Sequence, residues 1–200
     1  MRQRTTASWA GWCPGAQQAA RQRALRTLQE LYARLPEVAC QGLCADSCRS
    51  PIDMSTLERE RMRTTTGVRI PERAHWPAGA PCPALSAEGR CTGHAVRPTI
   101  CRLWGAGANA AMRCPHGCTP EGGLLPDAQL IDLILTSLEI GGHRAFADVG
   151  DQIRALAADP ALQPLLTRLI SGDATAAPAI VAAIRGRRHD EPDPAAPQER

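Results

Sequence analysis

The sequence contains no lysine, and all 23 of its basic residues are arginine. Its formal net charge is only +3, and the one compact basic cluster comprises Arg185, Arg187 and Arg188. A nucleic-acid-binding domain is expected to carry a larger basic patch than this. We therefore expect no nucleic-acid partner.

Aromatic residues and long apolar runs are also scarce. There is one Phe and one Tyr, and acidic or amide residues interrupt the longest apolar stretch, Leu124–Ile140. That stretch cannot span a bilayer, and residues 1–15 lack the apolar run of a signal peptide. These absences predict a cytoplasmic protein with no membrane partner and with a thin hydrophobic core.

Familiar catalytic motifs are missing as well. The sequence shows no Ser-His-Asp arrangement, no phosphate-binding loop and no dinucleotide glycine motif. We therefore do not expect a conventional hydrolase, kinase or dehydrogenase.

Cysteine, in contrast, is abundant, with nine residues in the chain. Without an export signal, clustered cysteines are more often metal ligands or redox groups than disulfides. Cys13 has no cysteine neighbour and is expected to lie outside the ligand set. The other eight form the predicted ligand pool: Cys40, Cys44, Cys48, Cys82, Cys91, Cys101, Cys114 and Cys118.

The distribution of apolar residues predicts a mainly α-helical protein with little or no sheet. Leu25, Leu28, Tyr32 and Leu35 have the spacing of one helical face. Ser55 with Glu58 matches a helix-capping box, which predicts a second helix that runs to about Arg63. A further helix, which Gly141 and Gly142 end, is predicted from an apolar stripe of Leu130, Ile131, Ile134 and Leu138. We predict four regions: an N-terminal arm and amphipathic helix (1–36), a cysteine region (37–123), a helical region (124–184) and a disordered tail (185–200).

Residues 71–123 are rich in Pro and Gly and poor in large apolar side chains. Ordering a backbone costs roughly 1–2 kcal/mol per residue, which such a segment cannot easily offset by burial. The sequence therefore predicts an irregular region that is cross-linked and stabilised by thiolate-bound metal.

The cysteines fall into two groups. Cys40, Cys44 and Cys48 have the spacing C-x3-C-x3-C, and five cysteines follow from Cys82 onward. Eight thiolates suffice for two zinc sites, or for one iron–sulfur cluster with several to spare. His94 and His116 lie close to cysteines, so either is an alternative ligand, although loop histidines more often have no such role.

The second group resembles the YkgJ-type cysteine-cluster proteins, a zinc- or iron-chelating family. The resemblance covers residues 38–120, with Cys114 or Cys118 as the family's last cysteine. This sequence departs from the family pattern at two places. Its first cysteine cluster has wider spacing and no adjacent Cys-Cys pair, and His94 occupies the position where the family usually has Tyr. The matching positions are Cys82, Leu85, Gly89, Cys91, Arg97, Pro98, Cys101 and Arg102.

Four thiolates around one divalent ion leave a charge of about −2, which nearby cations must offset. Arg97 and Arg102 are predicted to do so from the second shell, although they are also suited to bind an anionic carboxylate or phosphate. The expected cofactor is zinc or iron, the latter as an ion or in an iron–sulfur cluster.

Two functions are consistent with these features. The first is a metal-binding protein whose partner is another protein or a small molecule that the sequence does not identify. The alternative is a metal- or cluster-dependent enzyme of the redox or methyl-transfer type, because the resemblance extends to a cysteine-rich domain of flagellin lysine methylases.

Overall fold

The computed structural model describes residues 14–41, 45–77 and 79–190. Four short 3₁₀ helices lie at Asp46–Arg49, Arg73–His75, His94–Val96 and Ala110–Met112. The α-helices of the described residues are α1 (Pro14–Ala33), α2 (Thr56–Thr66), α3 (Thr99–Leu103), α4 (Asp127–Gly141), α5 (Arg144–Ala157), α6 (Gln163–Ile170) and α7 (Ala176–Asp190).

The described part of the chain contains no β-sheet. Its only β-pairing consists of three isolated bridges, Val38 with Pro120, Leu85 with Cys91 and Gly107 with Leu125. The prediction of a mainly helical fold with an irregular cysteine region is therefore confirmed.

Helix α4 lies at the centre of the fold and contacts α1, α2, α3, α5 and α6. Leu130, Ile131 and Ile134 on its predicted apolar stripe are buried. Gly142, with a φ of 68°, ends the helix as the sequence predicts. The buried residues of this core include no cysteine, but Cys82, Cys91 and Cys101 pack against it, so the core and the cysteine region are continuous.

Helix α2 begins with the predicted capping box. The Glu58 amide donates a hydrogen bond to Ser55 Oγ at 3.3 Å, and Glu58 Oε2 accepts one from the Ser55 amide at 2.9 Å. Gly67, with a φ of 74°, ends the helix. The helix runs to Thr66 rather than to about Arg63, because the TTT segment continues the turn to this glycine.

The C-terminal boundary differs from the prediction. Residues 185–190 belong to α7 rather than to the predicted tail, because the alanines earlier in this helix and the arginines at its end favour a helix. Residues 191–200, the arm 1–13 with Cys13, and Cys44 lie outside the described residues. No helix in the described ranges has the length and apolarity needed to cross a membrane.

Candidate metal centre

A cavity of about 410 Å³ lies within the cysteine region. One part of its wall is apolar and includes Met54, Met62 and Ile70. The rest of the wall contains five of the predicted ligands, namely Cys40, Cys48, Cys82, Cys91 and Cys101. The fold thus brings cysteines from both sequence groups to one place.

Backbone hydrogen bonds connect the two cysteine groups. The Cys82 amide donates to the Cys48 carbonyl at 2.7 Å. Beyond Cys82 the chain turns back, so that Leu85 bridges Cys91, and Gly89 takes a φ of 73° that favours glycine. This tight turn places Cys82 and Cys91 on the same cavity wall.

Cys101 lies in the short helix α3, whose first residue is held by a buried carboxylate. Glu58 Oε1 accepts hydrogen bonds from the Thr99 amide at 2.7 Å and from the Thr99 hydroxyl at 2.8 Å. Pro98 precedes the helix in an extended conformation that starts it. Helix α2 therefore fixes the orientation of the helix that carries Cys101.

Glu58 also contacts α1. Its Oε1 accepts a hydrogen bond from the Tyr32 hydroxyl at 2.9 Å, while its Oε2 accepts from Ser55. One carboxylate thus connects α1, the start of α2 and the start of α3. Sequence reasoning found Glu58 only as a helix cap, because Thr99 is 41 residues away and no local pattern joins the two.

The electrostatics show which thiols lie close together. Burial raises the pKa of Cys101 well above its ordinary value, and the neighbouring Cys48, Cys82 and Cys91 raise it further. Burial is also the main cause of the raised pKa of Cys82, to which Cys91 adds. Because metal binding requires thiolates, a bound cation must displace these protons.

The donor chemistry of the cavity fits a thiophilic metal. None of the described lining residues is Asp or Glu, so cysteine sulfur dominates the available donors. Thiolates select zinc and iron over hard cations such as Mg²⁺ and Ca²⁺. Among residues 14–41, 45–77 and 79–190, no three His, Cys, Asp or Glu side chains are already spaced as ligands of one ion, so binding would draw the thiols inward.

Two predicted ligands lie elsewhere in the fold. Cys114 and Cys118 are not among the residues that line this cavity. They lie near Gly105, where an added Cβ would be 3.4 Å from Cys114 Cβ and 3.7 Å from the Cys118 carbonyl oxygen. Their role as ligands remains a prediction, as does that of Cys44.

The two arginines that were predicted to offset the thiolate charge, Arg97 and Arg102, have different positions. Arg97 lines the thiol cavity, together with Arg90 and His94. Arg102 does not line it; its guanidinium lies over the Tyr32 ring, 4.3 Å from the centroid. Arg97 is thus placed beside the thiols, whereas Arg102 faces a neighbouring part of the fold.

The two histidines near cysteines also differ. His94 lines the cavity, and partial burial together with Arg97 and Arg102 lowers its pKa, which favours the neutral form. His116 is exposed and is not part of the cavity wall. Of the two alternative ligands, only His94 lies near the cysteines of this cavity.

Comparison with known families supports the same region. Residues 39–119 match the family model CxxCxxCC, described as a "putative zinc- or iron-chelating domain". The predicted family resemblance is therefore confirmed over this segment. No curated protein and no solved structure matches the chain.

Proposed function

We propose that this chain, whose residues 39–119 match the zinc- or iron-chelating cysteine family, binds one zinc or iron ion in the thiol cavity. The proposed ligands are the thiolates of Cys48, Cys82, Cys91 and Cys101. The observation that carries the proposal is that these four cysteines, which come from both sequence groups, line one cavity.

Charge around the cavity supports this ligand set. Four thiolates and one divalent ion give a net charge of about −2, which is costly to bury without compensation. Arg90 and Arg97 supply two positive charges on the cavity wall. In this proposal Cys40, which is exposed at the wall, is a neighbouring thiol and not a ligand.

A second candidate is an iron–sulfur cluster that serves a redox or methyl-transfer enzyme. The size of the cavity favours this candidate, since about 410 Å³ exceeds what a single ion needs and includes an apolar wall. The same cysteines would hold the cluster, and the remaining space would admit a small-molecule substrate.

The oxidation state of the thiols bears on location and partners. Cys82, Cys91, Cys101 and Cys118 are not in disulfides. Reduced thiols of this kind persist in a reducing compartment, so we place the protein in the cytoplasm. Its partner would be a protein or a small molecule, with neither nucleic acid nor membrane involved.

The proposal is tested by metal analysis of protein purified without oxygen. We expect one zinc or iron per chain, and we expect Cys91→Ser and Cys101→Ser to lose most of it. Cys118→Ser is the matched control, because Cys118 lies outside the cavity, and it should keep the metal. Equal loss in all three variants would contradict the assigned ligand set, whereas iron with an equal amount of acid-labile sulfide would favour the cluster.

A further inference from the structure

A second, smaller cavity lies beside the thiol cavity and differs from it in character. It has a volume of about 190 Å³ and lies between the segment 35–38, which follows α1, and helix α3. Arg97, Arg102, Trp104 and the Tyr32 side chain form much of its wall. Arg97 and Trp104 line both cavities, whereas Arg102 lines only this one.

The wall of this second cavity is strongly cationic. Arg102 lies 4.3 Å from the Tyr32 ring centroid, and Arg61 lies over the same ring at 5.5 Å. Burial lowers the pKa of Arg102, and the charges of Arg97 and Arg61 lower it further, although Tyr32 opposes this. The wall therefore contains two guanidinium groups, those of Arg97 and Arg102, and the guanidinium of Arg61 lies beside Tyr32 outside the wall.

Neighbouring carboxylates offset only part of the positive charge of the wall. Glu37 is the one carboxylate among the described lining residues, and it is exposed to solvent. Glu58 is not part of the wall, and its oxygens accept hydrogen bonds from Tyr32, Ser55 and Thr99 rather than from the arginines. Two arginines against one exposed carboxylate leave the wall with an excess of positive charge, which would attract an anion.

Hydrogen-bond donors in the wall point to the same ligand class. Arg97 Nε and Trp104 Nε1 are buried and find no acceptor among the described residues. A buried donor without a hydrogen-bond partner lowers the stability of the protein by about 1–3 kcal/mol. A small shift of either side chain toward the cavity would let it donate to an anion bound there. Arg102 is held in place because its Nε and Nη2 donate to the carbonyls of Arg97 and Ala95, at 2.8 and 3.1 Å.

We propose that this cavity binds a small tetrahedral oxyanion, either free phosphate or the phosphate group of a small organic molecule. Planar guanidinium groups bind phosphate oxygens through paired, charge-assisted hydrogen bonds, and the indole N–H adds a further donor. The volume of about 190 Å³ admits a phosphate group alone or with a small organic substituent. This inference does not rest on the proposed metal function, because Arg102 lies outside the thiol cavity.

The test is isothermal titration calorimetry of the full chain, as purified, with inorganic phosphate. Sodium chloride at matched ionic strength gives the background, and metal content is measured in every sample. We expect saturable binding of phosphate at one site per chain. Arg102→Gln should weaken it at least tenfold, while Arg63→Gln, an exposed arginine of α2 that lines neither cavity, should leave it unchanged.

Two further arms complete the experiment. Trp104→Phe keeps an aromatic side chain but removes the indole N–H, and should weaken phosphate binding severalfold even if Arg102→Gln folds poorly. Glycerol phosphate, compared with inorganic phosphate, separates a phosphate ester from the free ion as the better ligand. If neither phosphate compound binds above the chloride background while the metal content is intact, the inference is wrong and the proposed metal function stands.

Discussion

Glu58 Oε1 accepts hydrogen bonds from both the amide and the hydroxyl of Thr99, at 2.7 and 2.8 Å. Thr99 begins the short helix that carries Cys101 two residues later. A buried carboxylate on α2 therefore holds the helix that presents Cys101 to the cavity. Through Tyr32, the same carboxylate connects this helix to α1.

Replacing Glu58 with Gln should destabilise the protein. The amide NH₂ of Gln would face at least one of the present donors, on Thr99 or on Ser55, and leave it unsatisfied in the interior. We expect the free energy of unfolding to fall by about 1–3 kcal/mol, measured by denaturant titration. Glu60→Gln is the control, because Glu60 forms an exposed pair with Arg21 and its loss should cost at most about 1 kcal/mol.

Tyr32 should resist ionisation in the folded protein. Burial raises its pKa far above the ordinary value near 10, and the charge and hydrogen bond of Glu58 raise it further. The fold thus favours the neutral phenol. The resulting stabilisation is complete below about pH 10 and is lost as the pH rises toward the folded pKa.

Tyrosinate absorbance measures this directly, because Tyr32 is the one tyrosine in the sequence. At about pH 11 the unfolded chain in guanidinium should be mostly ionised, and the folded chain should show little signal. Glu58→Gln should shift the folded titration to lower pH. A titration midpoint near pH 10 in the folded protein would show that Tyr32 is neither buried nor hydrogen-bonded to Glu58 as described.

Gly141 should tolerate no side chain. A Cβ there would lie 2.5 Å from Ser55 Cβ and 3.2 Å from Leu57 Cβ, at the junction of α4 with the start of α2. We expect Gly141→Ala to lower the free energy of unfolding by about 1–3 kcal/mol. Gly15→Ala is the matched control, since nothing lies within 4 Å of its Cβ position, and it should leave stability unchanged or slightly raised.

Removing the metal should loosen the cysteine region without unfolding the core. Cys82, Cys91 and Cys101 pack against the core cluster that contains the buried side chains of α4. Helices α1, α5 and α6, which carry none of the predicted ligands, also contact α4 and should hold it in place. Metal at a free concentration a hundred times its Kd should raise the free energy of unfolding by about 2.7 kcal/mol, and a chelator should remove this stabilisation. The far-ultraviolet circular dichroism of the chelated protein should keep most of its helical signal. Loss of that signal would show that the helices depend on the metal and would contradict the prediction.

Local features of the fold could be predicted from the sequence because they depend on nearby residues. The capping box of Ser55 and Glu58 and the apolar stripe of α4 are of this kind. The C-terminal end of α7 could not be placed, because a polar, proline-rich end offers no sharp helix stop before Asp190.

The sequence allowed the type of ligand residue to be predicted, but not which of these residues share a cavity. The spacing of the cysteines and the match around Cys82, Cys91 and Cys101 predicted thiol ligands, and these three line one cavity with Cys48. The separate position of Cys118 and the placement of Arg102 over Tyr32 depend on contacts between distant segments. A single sequence gives no signal for such contacts.

The most direct test of the metal proposal is X-ray absorption spectroscopy at the zinc or iron edge on protein purified without oxygen. The proposal predicts one ion per chain with four sulfur ligands at about 2.3 Å, reduced to fewer sulfurs in Cys101→Ser and unchanged in Cys118→Ser. A first shell dominated by nitrogen or oxygen at about 2.0–2.1 Å would contradict it.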